Sequence, residues 1–143
     1  MRKIKRIIIH CTDSPDDLDI GLAEINQWHK ARGWESKKTK TPCGYHHIIR
    51  KDGKIQQGRL EEEVGSHCFG YNRSSIGITV VGRNQFNPKQ AATLNKLCRQ
   101  LIDKYGLKPF DVYGHYELDD RKTCPNMDMH KFRLDVFFTR SDK

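Results

Sequence analysis

Two short runs of β-branched residues constrain the fold of this chain most. Residues 6–10 read Arg-Ile-Ile-Ile-His, and residues 76–81 read Ile-Gly-Ile-Thr-Val-Val before Gly82. Continuous apolar runs of this length, bounded by polar residues or glycine, are typical of strands buried on both faces. We therefore expect both runs to lie in the middle of one β-sheet.

Helical periodicity appears in three other segments. In residues 20–33, apolar side chains recur at helical spacing and Gly33 supplies a stop signal. A second helix is predicted to start at Asn87, because Pro88 follows this capping residue and Gln90 comes three residues after it. Its apolar stripe continues through Leu94, Leu97, Leu101, Ile102 and Tyr105 to Gly106. Residues 129–138 are predicted to form a terminal helix.

A hairpin and one more strand complete the predicted elements. Asp52-Gly53 is a strong hairpin signal between the strand-like residues 45–50 and 54–58, and residues 111–114 form another short strand. The order strand, helix, hairpin, strand, helix, strand, helix predicts an α/β fold with a single central mixed β-sheet covered by helices. No repeat or linker divides the chain, so we expect a single domain over residues 1–143.

The net charge and the cysteines indicate which classes of partner and which cellular compartment suit this chain. The formal net charge of +8 favours polyanions such as nucleic acid, an anionic membrane or an acidic cell wall, or it only solubilises the surface. Five scattered cysteines without a CxxC pair argue against a disulfide framework. No apolar run approaches the roughly 18 residues of a membrane span. Only three isoleucines follow the basic start, so we expect cytoplasmic synthesis without a signal peptide.

Three chemistry-bearing residues occupy positions that suggest a metal site. His10 ends one predicted core strand, His115 follows another, and Cys124 lies nine residues later before Pro125. Two imidazoles and a thiolate suit zinc, and three protein ligands leave one tetrahedral position open, as in catalytic sites. Spacing alone leaves ordinary structural roles open for all three, since such long-range ligand sets have no local motif.

The chain carries a series of short segments in a characteristic order. They are Ile8-Ile9-His10-Cys11, Gly44-Tyr45-His46, Asp52-Gly53, Gly58-Arg59, Val64-Gly65-Ser66-His67, Gly70-Tyr71-Asn72, Ser75-Ile76-Gly77-Ile78, Val81-Gly82, Gly114-His115 and Lys122-Thr123-Cys124-Pro125. In these segments the chain resembles the type 2 N-acetylmuramoyl-L-alanine amidases. That family includes lysozyme-like amidases of phages such as T-seven and the animal peptidoglycan recognition proteins.

The resemblance implies an activity and the residues that carry it. The expected reaction is hydrolysis of the amide between N-acetylmuramic acid and L-alanine in peptidoglycan. The implied Zn²⁺ ligands are His10, His115 and Cys124, and the implied catalytic side chains are Tyr45 and Lys122. A cation such as Lys122 would stabilise the oxyanion that forms during attack. Tyr45 would orient the attacking water or donate a hydrogen bond to the same oxygen.

The resemblance and strand alternation also bear on other polar residues. His67, Tyr71 and Asn72 are similar to the family segment that borders the substrate groove, so substrate binding is expected of them. Strand alternation predicts that His47 shares a face with Tyr45 and lies near that groove. Residues 61–63, three glutamates, are expected to form a solvated turn, and no glutamate is placed as a general base.

Two further functions and two biological settings stay open from the sequence. A non-catalytic peptidoglycan-binding module would lack the cysteine ligand, whereas Cys124 is present here. A regulator would bind a polymerase or nucleic acid through the basic surface. Without a signal peptide, the enzyme would act on the cell wall after release in phage or prophage lysis, or would recycle soluble muropeptides in the cytoplasm. We expect a monomer.

Overall fold

A five-stranded sheet forms the centre of the computed structural model, which describes residues 2–139. The strands are β1 (Arg6–Cys11), β2 (His47–Ile49), β3 (Ile55–Gln57), β4 (Ser75–Val80) and β5 (Val112–Gly114). The helices are α1 (Leu22–Ala31), α2 (Pro88–Tyr105), α3 (His115–Leu118) and α4 (Met129–Thr139). All elements predicted from the sequence are present in the predicted order, with boundaries that differ by a few residues.

The sheet is mixed, and its two most apolar strands lie at its centre. The strand order is β3-β2-β4-β1-β5. Strand β1 pairs in parallel with both β4 and β5, β2 is parallel to β4, and only β3 is antiparallel to its neighbour β2. Every residue of β4 and all of β1 except Arg6 are buried. The mixed sheet expected from the sequence is confirmed.

Helices cover the two faces of the sheet and enclose two apolar clusters. The larger cluster joins one face to α2 and α4 and includes Ile7, Ile9, Ile76, Ile78, Leu94, Leu97, Leu101, Met129 and Val136. The smaller cluster joins α1 to the opposite side through Ile20, Ile25, Cys43, Ile48 and Val81. Burying such side chains contributes roughly 1.5–3 kcal/mol each, so these two layers hold the sheet in place. No helix within residues 2–139 is long and apolar enough to cross a bilayer.

Helix α2 has the caps that its sequence predicts. Asn87 Oδ1 accepts a hydrogen bond from the Gln90 backbone N–H at 2.9 Å, and Gln90 Oε1 accepts from Asn87 N–H at 3.1 Å. At the other end Gly106 has φ +66°, a left-handed conformation that glycine adopts without strain. Local sequence therefore sets both ends of this helix.

The short helix α3 is absent from the sequence prediction. It begins at His115 directly after β5, and Glu117 Oε1 accepts from the Gly114 N–H at 2.9 Å. The N–H of Asp119 closes the turn on the His115 carbonyl at 3.0 Å. Four residues are too few to show helical periodicity, so the sequence does not predict this helix.

The structure corrects the predictions for His47 and for the glutamates that follow the hairpin. His47 Nε2 lies 2.5 Å from Glu61 Oε2, and Lys104 and Tyr105 of α2 donate to Glu61 Oε1 at 2.7 and 2.5 Å. His47 therefore faces α2, whereas Tyr45 packs against the smaller apolar cluster on the opposite side of the sheet. The Glu61 side chain is only 15% exposed, so the prediction of a solvated turn is wrong for Glu61.

Glu61→Gln is expected to lower the free energy of unfolding by about 1–3 kcal/mol at pH 7, since it weakens charge-assisted hydrogen bonds in a partly buried network. Burial opposes ionisation of Glu61, but the hydrogen bonds from His47, Lys104 and Tyr105 prevail and hold its pKa well below the usual 4.5. A depressed carboxyl pKa stabilises the fold above pH 4.5, and this contribution is lost as the pH falls further. Urea denaturation of the wild type and Glu61→Gln should therefore show a difference in the free energy of unfolding that becomes smaller below pH 4.5.

Glu62→Gln is the matched control for that measurement. Glu62 pairs with Lys38 in an exposed contact, which contributes little to stability. If the Glu61→Gln difference persisted unchanged at pH 3, ionised Glu61 would not be its source.

Candidate metal centre

Parallel pairing of β1 with β5 brings His10 and His115 together. Ile9 stands opposite Gly114 in the register, so the next residue of each segment emerges at the same edge of the sheet. The ring centroids of His10 and His115 lie 4.4 Å apart. Both side chains are buried, at 2% and 7% exposure. Strand register thus joins two residues that are 105 positions apart in the chain.

Cys124 reaches the same place from the loop after α3. The carbonyl of Cys124 accepts from the Tyr116 N–H at 3.0 Å, which ties this loop to α3. The bond between Cys124 and Pro125 is cis. Cys124 Sγ lies 3.4 Å from His115 Nδ1 and 4.0 Å from His10 Nδ1. The structure therefore brings together all three residues that the sequence nominated as metal ligands.

The donor atoms of this group fit a zinc ion. They all lie within 4.8 Å of one another, and it is the one group of this kind found within residues 2–139. In a tetrahedral site with ordinary Zn–N and Zn–S bonds, nitrogen and sulfur stand roughly 3.6 Å apart. The observed nitrogen–sulfur distances bracket this value. Two imidazoles and one thiolate also leave a fourth position open for a reactant.

The electrostatics of the group favour a thiolate at Cys124. Contact with the Cys11 thiol, together with the His10 and His115 rings, lowers the pKa of Cys124 to about 2 despite its partial burial. Burial opposes protonation of His115, but contacts with the sulfur atoms of Cys124 and Cys68 raise its pKa to about 9. A sulfur atom that is already ionised is the form that binds a metal.

Tyr45 stands beside the metal-binding group. Its ring centroid lies 5.1 Å from that of His10 and 5.3 Å from that of His29. Burial raises the pKa of the Tyr45 hydroxyl above its usual 10, and the neighbouring sulfur atoms raise it further. The hydroxyl therefore keeps its proton and can donate a hydrogen bond.

Lys122 lies on the exposed turn that precedes Cys124. Its backbone N–H donates to the Asp119 carbonyl at 3.0 Å, and its side chain is exposed. Burial lowers the pKa of His10, and although Cys124 opposes this, the positive charges of His115 and Lys122 lower it further. The positive charge of Lys122 therefore opposes protonation of His10.

The three residues predicted to bind substrate occupy different environments. His67 is 8% exposed, and both of its ring nitrogens contact other side chains. The Arg6 guanidinium stacks on the Tyr71 ring, with Arg6 Cζ 4.9 Å from the ring centroid. Asn72 lines a groove, and its Oδ1 accepts from the N–H groups of His67 and Cys68. Substrate binding by these residues stays a prediction.

The groove has a volume of about 730 Å³ and contains a residue whose role the sequence did not reveal. Arg59 is 3% exposed, and its Nη1 donates to the Val64 carbonyl and to Ser66 Oγ at 2.9 and 3.1 Å. Its Nε and Nη2 have no hydrogen-bond partner within the described residues. Only its place in the Gly58-Arg59 segment set it apart in the sequence. The groove is lined by Glu35, Ser36, Lys37, Lys38, Arg59, Glu62, Glu63, Val64, Gly65, Ser66, Phe69, Gly70, Asn72 and Arg73.

Comparison with known proteins identifies the family. A family model described as N-acetylmuramoyl-L-alanine amidase, Amidase_2, matches residues 1–127. The chain belongs to this amidase family. The resemblance drawn from the ordered sequence segments is thereby confirmed, and with it the expectation that the chain is an amidase.

Relatives of this amidase come from phages, bacteria and animals. The endolysin of Escherichia phage T7 is 36% identical over 134 residues, which are 88% of this chain and 83% of the endolysin. The amidase LysC from Clostridium intestinale URNW has a similar structure, with a TM-score of 0.81, 30% identity, and coverage of 95% of this chain and 87% of LysC. Drosophila PGRP-LB matches with a TM-score of 0.70 and 26% identity, covering 87% and 76%. These structures confirm the predicted fold class.

Proposed function

We propose that this amidase is a zinc-dependent lytic enzyme of a phage or prophage, with His10, His115 and Cys124 as its zinc ligands. Its substrate is the amide between N-acetylmuramic acid and L-alanine in peptidoglycan. Support for the setting comes from the phage T7 relative, which is an endolysin. Such an enzyme acts on the cell wall once it has been released from the cytoplasm.

The observation that carries the proposal is the convergence of three ligand atoms within 4.8 Å. The three residues come from β1, from the start of α3 and from the following loop, so no local motif explains their meeting. When bound, zinc lowers the pKa of a water molecule and polarises the scissile carbonyl. The retained Cys124 favours an enzyme over a binding module of the same fold.

Tyr45 and Lys122 supply the remaining polar groups of the proposed reaction. Because the Tyr45 hydroxyl stays protonated beside His10, it can donate to the carbonyl oxygen or orient the water. Lys122 is exposed on the turn before Cys124, and its positive charge opposes protonation of His10. A cation there stabilises the negative charge that develops on the carbonyl oxygen only after attack, and so lowers the barrier.

The groove that contains Arg59 is the proposed site for the peptide stem. Two nitrogens of this buried guanidinium have no hydrogen-bond partner within residues 2–139. They favour an anionic partner, because an unsatisfied buried donor costs free energy that a carboxylate would recover. Peptide stems carry such carboxylates. Phe69 is 86% exposed and borders both this groove and a second one. The second groove is lined by Tyr116 and Arg121, which are the sequence neighbours of His115 and Lys122.

Digestion of purified peptidoglycan tests the proposal directly. The protein is assayed as purified, after treatment with a strong zinc chelator, and after zinc has been restored. New N-terminal alanine without new reducing sugar is expected in the first and third samples and not in the second. New reducing ends would identify a glycosidase, and full activity in chelated, metal-free protein would remove zinc from the mechanism.

A comparison of substrates separates lysis from recycling. A lytic enzyme should cleave intact sacculi at least as readily as soluble muramyl peptides at equal concentrations of the amide bond. A clear preference for the soluble peptides, with sacculi left intact, would favour the recycling role.

A further inference from the structure

We infer that His67 is a positioning residue that fixes the His10 ring for metal binding, with Ser75 holding His67 in turn. This inference rests on the proposed zinc site. It assigns to His67 a role different from the substrate contact that the sequence suggested. A chain of hydrogen bonds that runs from His10 to a backbone carbonyl supports this role.

The hydrogen bonds join four groups in the interior. His10 Nε2 lies 2.9 Å from His67 Nδ1, and His67 Nε2 lies 3.2 Å from Ser75 Oγ. The Ser75 hydroxyl donates to the Tyr71 carbonyl at 2.8 Å. Every nitrogen of the His67 ring is therefore engaged inside the protein.

The direction of these bonds follows from the last one. The Tyr71 carbonyl can only accept, so it takes the single hydrogen of the Ser75 hydroxyl. Ser75 Oγ must then accept from His67 Nε2–H, which leaves His67 Nδ1 as an acceptor for His10 Nε2–H. The His10 Nδ1 lone pair is thereby free and faces Cys124 Sγ. Reversing the chain would place a proton on His10 Nδ1 and block the metal-binding position.

The His67 ring has little freedom to leave this position. A Cβ atom at Gly77 would lie 2.6 Å from two atoms of the ring, and a Cβ atom at Gly65 would lie 2.7 Å from one of them. The His67 N–H also donates to Asn72 Oδ1 at 2.8 Å. Two glycines thus make room for the ring, and Asn72 holds its backbone. Partners of this kind orient metal-ligating histidines and select their tautomer.

Zinc affinity is the readout that tests this role. Competition against a chromogenic chelator is measured for the wild type, His67→Phe and His67→Asn. Phe fills the ring site without an acceptor and is expected to weaken zinc binding about 10–100-fold. Asn keeps an oxygen near the position of Nδ1, so its affinity should stay within about threefold of the wild type. Ser75→Ala, a smaller change, should weaken binding severalfold even if His67→Phe does not fold.

Two spectroscopic measurements distinguish positioning from mere stability. Long-range ¹H–¹⁵N correlation spectra of the zinc-loaded wild type should show both His10 and His67 with the proton on Nε2. The visible absorption bands of the cobalt-substituted protein should shift in His67→Phe and remain in His67→Asn. The matched control is His47→Phe on the other face of the sheet, which should lower the melting temperature but leave zinc affinity and the cobalt spectrum unchanged.

The outcomes separate this inference from the proposed function. A wild type that retains no zinc would overturn the zinc site itself. A wild type that binds zinc, with His67→Phe and Ser75→Ala equal to it in affinity and cobalt spectrum, would overturn the role of His67 alone. A His67 ring protonated on Nδ1 in the zinc-loaded protein would also overturn it.

Discussion

Cys124→Ser should abolish zinc retention and amidase activity together. A serine hydroxyl is not ionised at neutral pH, whereas the Cys124 thiol has its pKa lowered to about 2 by Cys11 and the two histidines. Substitution of a residue that only hydrogen-bonds to a ligand weakens metal binding by up to roughly 100-fold. Loss of a direct ligand should weaken zinc binding by more than this. Zinc content after dialysis and release of N-terminal alanine measure the two effects.

Cys98→Ala is the control for the cysteine substitution. Cys98 is fully buried in α2, within the apolar cluster on the other face of the sheet. Its replacement should lower stability through a small cavity and leave one zinc ion per chain. Stoichiometric zinc in Cys124→Ser would show that the metal is held elsewhere.

Lys122→Ala should leave zinc bound and lower kcat by about 10²–10³-fold, the usual effect of removing one group that stabilises an oxyanion. The Lys122 charge acts on an oxygen that becomes negative only in the transition state, so KM should change much less than kcat. Steady-state kinetics on a soluble muramyl peptide, with zinc content measured on the same sample, provide the test.

Lys96→Ala is the charge-matched control for that experiment. Lys96 is exposed on α2, away from the metal-binding group, and its removal lowers the net charge by the same amount. If both variants slowed equally on sacculi, general attraction to the anionic wall would explain the effect. If Lys122→Ala were inactive because it had lost its zinc, the catalytic role assigned to Lys122 would be wrong.

Much of the fold could be predicted because its signals are local. The apolar runs of β1 and β4, the Asn87 cap and the Gly106 stop of α2 each depend on neighbours a few residues away. Secondary structure of this kind follows from side-chain periodicity and capping chemistry. The one-turn helix α3 offered no period to detect, so it appeared only in the structure.

Residues with polar side chains were harder to interpret, because their roles depend on distant partners. Glu61 looked like part of a solvated turn, yet it binds His47 across the hairpin and two residues at the end of α2. His67 lies in a glycine-rich segment that suggested a binding loop, yet its ring contacts His10, 57 residues earlier. The residues around Glu61 and His67 in the sequence do not indicate these distant contacts.

Some features of the metal centre were determined by the sequence, and others were decided only by the tertiary structure. Residue chemistry, with the placement of His10 and His115 at strand ends, made His10, His115 and Cys124 candidates. The ordered family segments then implied all three as ligands and added Tyr45 and Lys122. The register that sets Ile9 against Gly114 decided that the two histidine rings meet. Packing over Gly77 decided that His67 reaches the His10 ring. A sequence specifies which atoms can bind a metal, but distances of a few ångströms between remote residues arise only when the sheet has formed.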